Sequence, residues 1–236
     1  MTLGFWLIKI FATTVGETGG DALSMTLKLG YAVSTVIFLI LFILALTVQV
    51  RVDRYHPAVY WSVVVTTTTV GTTTSDFFDR TLGIGYVRSS IILSLCVVAV
   101  LALWRFTTGR LEFENIRTRR DEVFYWLTIL IANTLGTALG DYVADDVGLG
   151  FQRGALVFAV SLAVVAAAYQ FHLASTSVLF WAAYVLTRPL GATVGDTITK
   201  APAEGGFGLG RISSSLLIAA GMIVIIIATE RRARTR

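Results

Sequence analysis

Charge is scarce in this chain. Of its 236 residues, 14% are Asp, Glu, Lys or Arg, against roughly 25% in an ordinary soluble domain. With 55% of residues apolar and a mean hydropathy of +0.75, one soluble core could not hide that much apolar surface. Cysteine is almost missing. Cys96 stands alone, which excludes a disulfide scaffold, and it is expected to be a buried small hydrophobe. Histidine is limited to His56 and His172, both expected in loops after even-numbered helices, so an imidazole–thiolate site for zinc or copper is not expected. There is no P-loop pattern and no Ser/His/Asp arrangement. Neither ATP-driven work nor enzymatic catalysis is therefore expected, and no cofactor other than a bound divalent cation. Period-2 alternation is absent as well, which argues against a β-barrel.

What the chain does have is long apolar runs. A helix crosses a bilayer in about 20 apolar residues. Such stretches fall near 3–20, 30–50, 58–75, 86–104, 123–140, 151–171, 177–195 and 212–229. The fold class expected is all-α, a polytopic membrane protein with eight transmembrane helices. The first stretch lacks a charged n-region and carries a motif that recurs, so it is expected to be a span rather than a leader.

Arginine is distributed unevenly between the connections. Arg51, Arg54, Arg105, Arg110, Arg117, Arg119, Arg120, Arg231, Arg232, Arg234 and Arg236 follow even-numbered helices. The opposite ends carry only Lys28, Arg80, Arg88, Arg153, Lys200 and Arg211. The positive-inside rule then puts both termini in the cytoplasm. The basic clusters sit between apolar runs, so topology explains them and no nucleic-acid partner is expected. The partners expected are the lipid bilayer and an inorganic cation; a homo-oligomer is left open.

Four copies of one pattern run through the chain. Trp6, Trp61, Trp126 and Trp181 are followed ten residues on by Gly16, Gly71, Gly136 and Gly191. Five residues further come Asp21, Asp76, Asp141 and Asp196. LGY, GIGY, GLGF and GLGR then open each second helix. Each repeat holds two helices, so all four share one orientation. The spacing suggests two halves, 1–104 and 122–236, each of four helices, joined by a polar cytoplasmic linker, 105–121. Pseudo-twofold or pseudo-fourfold symmetry follows. The chain resembles the bacterial inner-membrane proteins built from four tandem two-helix repeats of unknown function, each with a tryptophan. That resemblance implies an eight-helix inner-membrane protein and names no substrate.

The odd helices carry two features. Gly16/Gly20, Gly71/Ser75, Gly136/Gly140 and Gly191/Gly195 form small-xxx-small seams for close packing. Beside them run polar stripes: Thr13, Glu17, Asp21; Thr68, Thr72, Asp76; Asn133, Thr137, Asp141; and Arg188, Ala192, Asp196. Ionisable groups in spans are costly and usually face a bundle interior. The odd helices are therefore expected at the centre and the even ones outside. The aspartates either cap the turn into the second helix or form a carboxylate ring. Carboxylate and hydroxyl oxygens suit hard divalent cations, so Glu17, Asp21, Asp76, Asp141 and Asp196 are the candidate metal ligands. Thr13, Thr68, Thr72, Asn133 and Thr137 would line the site, and Arg188 would be the counter-charge to Glu17. Pro189 is expected to kink its helix. The tryptophans are either interface anchors or an inner constriction, and Lys9 is expected to snorkel to the inner surface. The function expected is secondary transport of inorganic cations. The alternatives are a cation channel with a pseudo-fourfold pore, or a structural or regulatory membrane protein.

Overall fold

The computed structural model describes residues 2–52, 55–109, 111, 116 and 118–234, with only the backbone given for 232–234. Arg54, Arg110, Arg117 and Arg236, which weigh in the charge asymmetry, lie outside the described residues, as does much of the linker. Eight long helices are present: α1 (Leu3–Asp21), α2 (Tyr31–Arg51), α3 (Pro57–Asp76), α4 (Tyr86–Thr108), α5 (Arg119–Asp141), α6 (Gly150–Gln170), α7 (Thr176–Thr199) and α8 (Arg211–Arg234). The described residues contain no strand.

Local chemistry sets the helix ends. Thr2, Thr118 and Ser175 accept hydrogen bonds from the backbone N–H three residues on, at the starts of α1, α5 and α7. Pro57 opens α3, where its missing N–H costs nothing. Gly109, at φ 80°, closes α4 in the left-handed region. α7 runs through Pro189 as one helix, with Thr193 donating to the Pro189 carbonyl.

Among the described residues, six helices are long and apolar enough to cross a membrane: α2, α4, α5, α6, α7 and α8. α1 and α3 have 19 and 20 residues, matching span lengths, but are too rich in Gly and Thr to pass on hydropathy. They bury that polarity against other helices instead of presenting it to lipid.

The odd helices close a ring. α1 packs on α3, α3 on α5, α5 on α7, and α7 back on α1. The even helices sit outside it, as expected. The two helices of a repeat scarcely pack on each other, however. Each even helix lies on the odd helix of the next repeat: α2 on α3, α4 on α5, α6 on α7, and α8 on α1. Every repeat thus bridges two positions of the ring, and α8 ties the C-terminal repeat to the N-terminal one. The halves 1–104 and 122–236 form one bundle, because α3–α5 and α1–α7 pack just as the helices within each half do. The outer helices leave long aliphatic faces uncovered, among them Leu39, Ile40, Ile43 and Leu44 of α2. Cys96 lies on such a face of α4 and is exposed, contrary to its expected burial. A thiol on an apolar outer surface is at home in lipid.

Candidate ion site on the bundle axis

The motif glycines let the ring close. A Cβ on Gly16 would come within 2.7 Å of Thr68 Cβ, and one on Gly191 within 2.6 Å of Thr13 Cβ. On Gly71 it would meet the backbone carbon of Asn133 at 2.8 Å, and on Gly136 the Cβ of Arg188 at 2.5 Å. Each glycine therefore receives the residue three before the next repeat's glycine, round the full circle. The same positions stitch the seams. Thr68 donates to Ala12 O (3.2 Å), Thr13 to Thr187 O (3.3 Å), and Asn133 Nδ2 to Thr67 Oγ1 (2.9 Å). Thr13, Thr68 and Asn133 are thus used in helix packing, the bland role open to hydroxyls and amides in membrane helices.

Arg188, the fourth member of that set, breaks the pattern. Its longer side chain turns to the axis, and Nη2 lies 2.9 Å from Glu17 Oε2 and 2.6 Å from Thr137 Oγ1. Nη2 also donates to Thr72 Oγ1, and Thr72 reaches Glu17 Oε2 at 3.3 Å. Glu17, Thr72 and Thr137 come from one register position of three repeats, so the layer is a single network, buried throughout. The expected Glu17–Arg188 pairing is present.

One turn outward lie the four aspartates, all buried. They do not serve as side-chain caps. In the first three repeats the helix runs on past them into five-residue π-turns, Ala22–Thr26, Phe77–Thr81 and Tyr142–Asp146. Nor do they form an even ring of free carboxylates. Arg80 Nε lies 3.1 Å from Asp76 and its Nη2 3.3 Å from Asp141. Lys200 Nζ lies 3.5 Å from Asp196 and 3.6 Å from Asp21, and Arg211 lies 3.4 Å from Asp21. Arg80 and Lys200 each follow their own aspartate by four residues and reach the next repeat's aspartate as well. The ring is therefore split into two ion-paired halves with twofold symmetry. Burial opposes charge on Lys200, but Asp196 and Asp21 outweigh it and hold its pKa above the ordinary range.

Of the five candidate ligands, three converge. Glu17, Asp21 and Asp196 each bring a carboxylate oxygen to within 4.8 Å of the other two, and all three are buried. Asp76 and Asp141 are not part of this group; they share Arg80 on the other side of the axis. The asymmetry comes from Glu17, the one acidic residue in its layer, which extends the cluster on the Lys200 side. That side also has a different roof. Where the other repeats make a π-turn, Lys200 leaves α7 with extended backbone, and residues 200–210 fold back over the helix end. Phe207 N bonds Thr197 O at 2.7 Å and Leu209 N bonds Ile198 O at 3.0 Å.

The opposite end of the bundle, where the odd helices begin, is packed with aromatics. Phe5 packs on Trp61 (5.5 Å between centroids), Tyr60 on Trp126 (6.3 Å), Tyr125 on Trp181 (5.9 Å) and Phe180 on Trp6 (5.8 Å). Each residue before a repeat tryptophan meets the tryptophan of the next repeat. The four indoles thus pack between helices at one end of the bundle. Lys9 does not snorkel. It is fully buried one layer outward from this plug, with Nζ 4.1 Å from the Tyr184 ring centroid.

The repeat geometry matches what comparison with known families finds. A family model described as a repeat of unknown function, DUF347, matches residues 4–55, 59–110, 124–172 and 179–235. The chain belongs to the DUF347 family. Each matched segment takes in one odd and one even helix, so the DUF347 repeat is one unit of the ring with its swapped outer helix. No curated protein and no solved structure matches the chain.

Proposed function

We propose that this protein carries small inorganic cations, divalent ions foremost, across a membrane through the Glu17–Asp21–Asp196 cluster. The convergence of three buried carboxylates on the bundle axis carries this reading, because hard divalent cations select such oxygen ligands. The outer layer also has room for positive charge: among the described residues its four aspartates are paired with three cations, Arg80, Lys200 and Arg211. Lys200 acts as a tethered cation at the mouth. An arriving ion displaces its ammonium from Asp21 and Asp196, and the ammonium returns when the ion leaves. A permanent structural metal would not need such a substitute. Glu17, one turn deeper and held by Arg188, is the group that exchanges a proton against the ion. Arg188 on the axis and the aromatic layer behind it favour a carrier over an open pore. The membrane in this reading is the bacterial inner membrane, with both termini cytoplasmic.

The test is flux into proteoliposomes across a panel of mono- and divalent ions, with and without a pH gradient. Wild type is expected to show saturable uptake of a divalent ion. Asp21→Asn and Asp196→Asn nearly preserve size and should lower uptake per folded molecule by about tenfold or more, the loss of one charge-assisted ligand. Wild-type flux no greater than that of protein-free vesicles would reject the proposal.

A further inference from the structure

Lys9, Tyr184 and Arg188 create a problem that the cation site does not solve. Lys9 Nζ, Tyr184 OH, Arg188 Nε and Arg188 Nη1 are all buried without a hydrogen-bond partner among the described residues. All three residues are fully buried. Buried polar groups are nearly always satisfied, so four orphans in adjacent layers require an occupant.

The register puts these groups together. Lys9 and Tyr184 hold the same position in the first and fourth repeats, on the touching helices α1 and α7, and the Lys9 ammonium sits against the Tyr184 ring. Arg188 is one turn outward from Tyr184 on α7. One edge of its guanidinium, through Nη2, serves Glu17, Thr72 and Thr137; the remaining N–H groups do not. Asn133 Oδ1, at the register of Arg188 on α5, is an orphaned acceptor among the described residues. The compartment is rich in donors and poor in acceptors. With Lys9 protonated, as its seat against the Tyr184 ring favours, it also holds two cationic side chains against one carboxylate, Glu17.

We infer that Lys9, Tyr184 and Arg188 bind a small monovalent inorganic anion of halide type, on the inner side of the Glu17–Arg188 pair. The occupant is anionic because it must accept from an ammonium, a guanidinium and a phenol, and because the compartment has one positive charge in excess. It is small because the residues at the same register in the other two repeats, Val64 and Ile129, are fully buried and leave the layer tightly packed. Water could accept from these donors but would leave a protonated Lys9 uncompensated in a low-dielectric interior, whereas an anion stabilises both cations. The site is independent of the cation reading: it lies on the other side of Arg188 and uses none of the aspartates.

The probes are chloride and bromide. The purified full-length protein is melted in rising potassium chloride, with potassium gluconate holding ionic strength constant. Chloride is expected to raise the melting midpoint saturably. A structure determined in bromide should show an anomalous peak beside Lys9 Nζ and the free edge of Arg188. Lys9→Met keeps the stem and removes the charge, and should weaken the apparent chloride affinity by about tenfold or more. Should Lys9→Met fail to fold, Tyr184→Phe keeps the ring under Lys9 and loses one donor, and a weaker chloride response is expected there. Identical melting of the wild type in chloride and gluconate, with no bromide peak between these residues, overturns the proposal and leaves water or an uncharged lysine. Wild-type chloride affinity in Lys9→Met, or in Tyr184→Phe where that variant decides, overturns it equally. Neither result touches the cation site, whose flux is measured separately.

Discussion

Glu17→Gln is expected to cost about 3–5 kcal/mol of stability, the usual penalty for removing one partner of a buried ion pair. Glu17 and Arg188 are both buried on the axis with 2.9 Å between their charged atoms, so the guanidinium left behind has no exposed surface through which to recover the lost carboxylate's contribution. Thr72 and Thr137 would still accept from Nη2, but hydroxyls compensate a guanidinium only in part. Glu17→Gln/Arg188→Met should recover most of the loss, because an apolar stem of similar length leaves neither charge behind. Thermal melting of the two single variants and the double variant measures the coupling. Additive effects, with the double variant as unstable as the sum, would mean that the pair is not the unit described.

Gly71→Ala should disrupt the ring, and Gly19→Ala should not. A Cβ on Gly71 meets backbone atoms of the neighbouring helix, Asn133 C at 2.8 Å and Thr134 N at 2.9 Å. Backbone cannot rotate away, so α3 and α5 must separate. Overpacking of this kind costs about 1–3 kcal/mol and more when backbone is the obstacle. Gly19 lies in the same type of helix with nothing within 4 Å of its Cβ position. There alanine should be neutral or stabilising by about 0.5–1 kcal/mol, its advantage over glycine in a helix. Folded yield and melting of the two variants separate close packing from a general dislike of larger residues. Equal behaviour of both would contradict the seams.

The ring was legible because one register repeats four times. Fixed spacing from Trp through Gly to Asp forces equivalent residues onto equivalent faces, and only the odd helices carry polar faces that lipid would reject. The swapped packing of the even helices was not legible, since α2 and α8 are apolar almost all round and give no sign of which odd helix they cover. Arg80 and Lys200 carry the same repeat spacing, four residues past the aspartates. They were missed because hydropathy ends the span at the aspartate, whereas the chain continues outward by a π-turn in one case and an extended residue in the other. The expectation for Lys9 failed for a different reason. A lysine near a helix end normally reaches the surface, but the indole layer lies between Lys9 and the nearer end of the bundle. Spacing placed Glu17 and Arg188 one turn apart in different stripes, yet only the ring closure of α7 on α1 brings them into contact.

In the proposed function, a divalent cation binds on the axis between Glu17, Asp21 and Asp196. The most direct measurement is a structure of the wild-type protein determined in calcium, and again in manganese, with anomalous data. The account predicts one peak per chain, within about 2.3–2.6 Å of oxygens from these three residues for calcium, with the Lys200 ammonium moved away from Asp21 and Asp196. A chain with its axis free of any peak at saturating ion, Lys200 still seated between the two aspartates, would contradict it.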